Sequence, residues 1–282
     1  WIALEDQDSA YALACLERAA RHADLDDKRR ATHWRSAARL RFEARQDGFL
    51  SAAINSLKEA SKLDPLGQSD DLVTAATWAR TEGDLEKSLI AVERRLELPG
   101  EAAVWELEAA GLLLELGRPA QAAAAASRAT VDAEVAPAAY PVLVKALRQS
   151  ARDQALPSVI RDWFGVQPDS IPDGDLHLAV HALQDRGRMA ETLVRRRPEQ
   201  EGNLLLAIVD IRMRDGDFES AGDLLRLGET FHSAVSEYWN VAGRYARACN
   251  DLGRVVHALK REYDLEPRLQ TALDLAKAYE DL

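Results

Sequence analysis

Between Trp34 and Pro65 the apolar positions recur at helical spacing in two runs that break at Gly48. Ala53 and Ala60 follow the break on one helical face, and Asp64-Pro65 closes the stretch. The pattern predicts two short antiparallel helices. Small residues at Ala53 and Ala60 let the second helix lie close against the first, and Gly48 supplies a turn in which φ is free to be positive. One such pair cannot bury both of its faces, so it needs neighbours.

The neighbours are visible as an internal repeat. Taking Gly48 as the turn, the same position recurs at Gly83, Gly117, Ala151, Gly187, Gly216 and Gly253, in steps of 35, 34, 34, 36, 29 and 37. The motif G-x-x-x-x-A-x-x-x-x-x-x-A stands as Gly48, Ala53, Ala60 and again as Gly117, Ala122, Ala129, with closing prolines at Pro65 and Pro168. In these features the chain resembles the tetratricopeptide repeat family over essentially its whole length. It departs from the family where Ser88 and Arg95 replace the two alanines and where the unit after Gly187 is cut short at Pro198. The family's large residue at the fourth position and its glycine at the eighth are mostly missing. The resemblance implies an all-α solenoid of antiparallel helix pairs, about eight repeats in a right-handed superhelix, with about sixteen helices and no strands.

A stack of this kind has no single core, so residues 1–282 are expected to form one solenoid domain. The segment QPDSIPDG is the strongest loop, and a hinge is expected near 169–174. Trp1 to Glu5 reads as the tail of a first helix with Gln7 at its turn, followed by packing residues Ala12, Leu16 and Ala19. LQTALDLAKAYEDL stops just before the next turn is due. Both ends are thus expected to be cut in mid-repeat, from a longer protein. HADLDDKRRATHW reads as a long charged loop or a helix extension. Asp70 and Asp71 open a helix whose Leu72, Ala75, Ala76 and Ala79 line one face. Pro141 is expected in the first turn of its helix, and Pro157 delays or kinks the next. Arg195, Arg196 and Arg197 close a helix where cations suit its C-terminus, with a docking patch as the alternative. Trp239, Tyr245 and Tyr263 read as core or edge packing.

Composition, with 47% hydrophobic and 29% charged residues, agrees with a folded solenoid. A net charge of −11 argues against nucleic-acid binding, which rests on neutralising phosphates with Lys and Arg. Cys15 and Cys249 are too few for a disulfide framework and are expected as free, small packing residues. HLAVH puts His177 and His181 on one helix face. Leu178 and Ala179 stand where a metalloprotease H-E-x-x-H carries its glutamate, so a polar face is expected here and no metal. There is no G-x-S-x-G, no phosphate-cradling glycine loop and no C-x-x-C. The carboxylate pairs Asp26-Asp27 and Asp70-Asp71 read as solvated caps. The chain is read as a non-enzyme with no cofactor.

The family resemblance implies a concave surface lined by first helices, where the ninth and twelfth repeat positions face a partner. Those positions supply Arg45, Arg80, Lys145, Arg148, His181, Arg247 and Lys277, more basic than acidic in an acidic protein. A protein partner with an acidic surface is expected to dock there, with polysaccharide as a second ligand and no membrane contact. The family's carboxylate clamp for chaperone tails is not supplied by Ala38 with Phe42, Val73 with Thr77, or Leu107 with Gly111. The Ala- and Arg-rich repeats, such as GLLLELGRPAQAAAAASRA, are similar in style to the periplasmic repeat region of Pel-type exopolysaccharide-export outer-membrane proteins. That resemblance implies a scaffold recruiting polysaccharide-modifying enzymes in the periplasm. The alternative is the regulatory or substrate-recognition region of a larger enzyme or regulator, with the cytoplasm as the alternative location.

Overall fold

A computed structural model describes residues 2–282, with side chains from Ser9 onward. Trp1 lies outside the described residues. Among them are sixteen α-helices, three short 3-10 turns and no strand, an all-α solenoid of antiparallel helix pairs. By contact the chain divides into two compact units that meet at Asp153/Gln154. The first holds α1 (Ile2–Ala20), α2 (Asp27–Ala44), α3 (Phe49–Leu63), α4 (Gln68–Thr81), α5 (Leu85–Leu96), α6 (Ala102–Glu115), α7 (Pro119–Ala129) and α8 (Ala136–Gln149). The second holds α9 (Leu156–Val166), α10 (Asp173–Ala182), α11 (Arg188–Arg196), α12 (Gly202–Arg214), α13 (Phe218–His232), α14 (Ser236–Ala248), α15 (Leu252–Leu265) and α16 (Leu269–Asp281). Within each unit every helix packs on its neighbours in sequence, and alternate helices also touch at α6/α8 and α12/α14.

The turns explain the period. Gly83, Gly117, Ala151, Gln184, Gly216 and Asn250 all have positive φ. At each one the next residue's N–H reaches back five residues, as in Asp84 to the Ala79 carbonyl (2.8 Å) and Asp251 to the Ala246 carbonyl (2.9 Å). This is the Schellman closure, which satisfies carbonyls left over at a helix end. Asp84, Asp217 and Asp251 then cap the following helix, accepting from the N–H of Lys87, Ser220 and Arg254. One dipeptide thus ends one helix and starts the next.

Two expected turn positions move. Gly187 has φ −100° and Gly253 lies inside α15, whereas Gln184 (φ 50°) and Asn250 (φ 57°) hold the left-handed position. Counted from Gly48, the steps become 35, 34, 34, 33, 32 and 34. The backbone is therefore more regular than the glycines. With this register, the fifth residue after each turn is buried throughout: Ala53, Ser88, Ala122, Leu156, Met189, Ala221 and Val255. The twelfth is Ala60, Arg95, Ala129, Trp163, Arg196, Gly228 and Glu262, of which all but Arg196 are buried. The packing position persists while its residue changes.

Where that twelfth residue is polar, it bonds nearby chain. Arg196 donates to the carbonyls of Ile171 (2.9 Å) and Pro168 (3.0 Å), so the 169–174 segment is tied inside the second unit, away from the break at Asp153/Gln154. Glu262 accepts from Asn240 at 3.2 Å. Arg95 stacks over Trp105 at 5.5 Å.

Other local expectations are corrected. Gln7 marks no turn, because α1 runs unbroken through it; Ala12 is exposed, and Ala20 carries the burial instead. The charged HADLDDKRRATHW segment is helix from Asp27 onward, because Asp26 caps α2 by accepting from the Arg29 N–H at 2.8 Å. Pro141 sits beyond the first turn of α8, since Pro137 already occupies that turn. Cys15 and Cys249 are free but exposed, so they pack nothing. Tyr263 is 38% exposed while Trp239 is buried at 4%.

Candidate functional site

Asp71, expected as a solvated cap, is instead buried at 4% exposure. The Arg35 guanidinium on α2 grips both of its oxygens, Nε to Oδ1 at 2.7 Å and Nη2 to Oδ2 at 2.9 Å, and also donates to Asp64 at 2.8 Å. Ser61 adds a hydroxyl bond to Asp71 at 3.1 Å. The hydrogen bonds that Arg35 donates to Asp71 raise the Arg35 pKa further despite desolvation, and the hydrogen bond from Arg35 holds the Asp64 carboxyl below its usual range. A Cβ on Gly67 would meet this guanidinium, so a larger residue there has to displace the Arg35 fork.

Above this ion cluster α3, α4 and α5 enclose a groove of about 250 Å³. Ile54, Leu57, Leu72, Ala75 and Ile90 give it an apolar floor and wall, and Lys58, Lys87 and Arg94 stand around it. Lys87 is held by its cap partner Asp84. Lys58 and Arg94 are exposed, with no ion pair among the described residues. Ile90 remains 49% exposed, leaving apolar surface open in the groove. Sequence reasoning missed this groove because it looked to first helices, whereas two of the three walls are second helices. The available signal was Ile54 and Ile90, apolar residues on otherwise polar faces.

The expected first-helix residues fall where the repeat predicts, with an adjustment. Arg45, Arg80, Arg148, His181 and Arg247 each stand three residues before a left-handed turn residue, so His181 and Arg247 share the twelfth position and not the ninth. For all but Arg45, the left-handed cap just past α2, that is the last turn of a helix, where a cation complements the C-terminal dipole. The recurrence of basic residues here has a local cause. Several are also neutralised within the chain: Arg45 pairs with Glu82 at 2.9 Å, and Arg80 with Glu108 and, at 3.1 Å, Glu115. In the second unit Arg244, at the true ninth position, pairs with Asp210 at 2.9 Å. Phe42 stacks on Trp78 with ring centroids 4.6 Å apart. Lys145 on α8, Arg247 on α14 and Lys277 on α16 are exposed, as is Arg148 on α8. Lys145 and Arg148 belong to the first unit, His181, Arg247 and Lys277 to the second.

The arginine run at the end of α11 is structural. Arg195 pairs with Glu191 one turn earlier at 2.9 Å, and Arg212 reaches the same carboxylate at 2.8 Å. Burial pushes the Glu191 pKa up, but the hydrogen bonds from both guanidiniums outweigh it and hold the group low. A second groove, of about 650 Å³, lies between α13, α14 and α15 and mixes Glu219, Asp223 and Glu229 with Arg226 and Arg254. Its buried Tyr238 donates to the Leu225 carbonyl at 2.8 Å, and burial raises that phenol's pKa. No described helix is long and apolar enough to cross a membrane.

The sequence matches no protein-family profile, and no curated protein is significantly similar to it. Solved structures with a related arrangement include a tetratricopeptide repeat protein from Parabacteroides merdae, at 15% identity and TM-score 0.41, covering 87% of this chain and 98% of that one. Pseudomonas aeruginosa pilF aligns at 16% identity and TM-score 0.32 over 89% of this chain and 99% of its own. Yeast Tom70 aligns at 13% identity and TM-score 0.35 over 98% of this chain and 60% of its own.

Proposed function

We propose that the chain is a non-catalytic scaffold that docks an acidic, amphipathic segment of a partner protein in the α3–α4–α5 groove. The observation that carries this reading is the pairing of an apolar floor with Lys58 and Arg94, cations without ion-pair partners, in a chain whose net charge is −11. Elsewhere in the first unit the basic side chains Arg35, Arg45 and Arg80 are spent on internal carboxylates. An apolar surface rimmed by unspent charge binds a partner by burying hydrophobic side chains, while the charge fixes orientation and speeds encounter.

A fluorescein-labelled acidic amphipathic peptide, titrated with the full chain and read by anisotropy, tests this. Binding is expected to weaken with salt, to be lost for the Lys58→Glu/Arg94→Glu double variant, and to be absent for a peptide with its acids replaced by lysine. Retained binding in that double variant, with loss on Lys145→Glu/Arg148→Glu, overturns the groove and favours the first-helix face. The finer setting, recruitment of polysaccharide-modifying enzymes by a periplasmic Pel-type export protein, is supported by the style of the repeats alone. Direct binding of such an enzyme to the purified chain tests it, and a catalytic domain in the full-length gene favours the alternative of a regulatory region.

A further inference from the structure

His177 and His181 lie four residues apart on α10, whose opposite face, through Leu176, Ala179 and Val180, is fully buried. Their rings stand side by side with centroids 4.2 Å apart. Facing them is Glu201, the residue that begins α12. Its backbone carbonyl accepts from the Leu205 N–H at 2.8 Å and its own N–H donates to the Arg197 carbonyl at 3.2 Å, which fixes its place. Its side chain does not cap its own helix. A carboxylate is favoured at a helix N-terminus, yet this one turns to the histidines: Oε1 is 2.8 Å from His177 Nδ1 and Oε2 is 3.6 Å from His181 Nε2.

Glu201 is only 5% exposed, and among the described residues those two imidazoles are its side chain's polar partners. A buried carboxylate is costly unless strongly paired. A divalent cation between the three groups would satisfy it far better.

We propose that His177, His181 and Glu201 form a three-ligand site for a divalent transition-metal ion, with zinc the best chemical match. One donor atom from each residue lies within 4.8 Å of the others. Ligands about 2.1 Å from a tetrahedral zinc stand roughly 3.4 Å from one another, and the Glu201 carboxylate reaches one ring with each oxygen, at 2.8 and 3.6 Å. Two nitrogens and one oxygen suit zinc and its neighbours, whereas magnesium and calcium demand oxygen ligands throughout. The His-x-x-x-His spacing by itself names no third ligand, and Leu178 stands where a metalloprotease carries its general-base glutamate. Here the carboxylate comes from a different helix, and no base of that kind accompanies it. The ion would clip α10 to the start of α12 across the intervening α11. Its fourth position stays open to water or to a donor from a bound partner.

The test uses the full chain, freed of any affinity tag, stripped with a chelator and titrated with zinc chloride alone by calorimetry. One zinc per chain is expected, with a dissociation constant of about 1 µM or tighter and a rise in melting temperature of roughly 5 °C at hundredfold excess. His177→Ala, His181→Ala and Glu201→Gln should each weaken zinc by at least the roughly 10–100-fold that losing even an outer-shell partner costs. His22→Ala, an exposed histidine on the first unit, should leave affinity unchanged. In the wild-type protein zinc should shift the side-chain NMR resonances of two of the six histidines, a readout that stands even if a variant fails to fold. Wild-type binding weaker than about 100 µM, unchanged affinity in His181→Ala, or zinc-induced shifts on other histidines overturns the site.

Discussion

Single residues in this chain matter most where a charge is buried with its partner. Removing Arg35 would leave the Asp71 carboxylate buried and unpaired beneath the groove. Arg35→Ala is therefore expected to cost about 3–5 kcal/mol in chemical denaturation, while Arg35→Met combined with Asp71→Leu recovers most of it, because replacing both partners removes the orphaned charge. Equal instability of the single and double variants would count against the cluster. Arg195, next to the similar-looking Arg196, makes an exposed pair within one helix, and such pairs contribute little. Burial, and not the count of ion pairs, separates the two cases.

At the scale of elements, the Schellman turn sets the repeat. Ala151 and Gln184 hold left-handed conformations of 55° and 50° that cost a residue bearing a Cβ. Ala151→Gly and Gln184→Gly are expected to stabilise the chain by about 0.5–1 kcal/mol each, the relief of strain exceeding the extra freedom given to the unfolded chain. Gly187→Ala, at the residue that glycine counting singles out, should bring no such gain, since its φ of −100° holds no left-handed strain to relieve. Urea titrations of the three variants check the order, and a clear loss at Gly187 with no gain at Gln184 would restore the glycine-based register.

Across the whole molecule, acid should be the solution condition that tells. Asp64 and Glu191, one in each unit, have carboxyls held below the ordinary value by guanidinium hydrogen bonds. Groups lowered on folding contribute stability that is full above the unfolded value of about 4 and is lost as pH falls through the lowered folded values. Thermal melts should therefore be level near neutrality and fall below about pH 4. Arg212→Met should flatten that fall by taking away one of the guanidiniums that hold Glu191 low. A melting temperature unchanged down to about pH 3 would show that these pairs contribute nothing to folding.

The amino-acid sequence by itself determined the helix pairs, because hydrophobic spacing and turn residues act locally: Gly48, Gly83, Gly117 and Gly216 mark four turns, and Ala53, Ala60, Ala122 and Ala129 mark the close packing. It placed the basic row on first helices as well. Only the tertiary structure decided what those charges do, since Arg45 and Arg80 meet their acids one repeat away, where no local rule reaches. It moved two turns onto Gln184 and Asn250, because closure of a helix end is a matter of backbone geometry that a non-glycine residue adopts when packing on both sides fixes the register. It also buried Asp71 and brought Glu201 to His177 and His181. Each of those depends on which helix stands beside which, and such adjacency is settled by packing, not by neighbours along the chain.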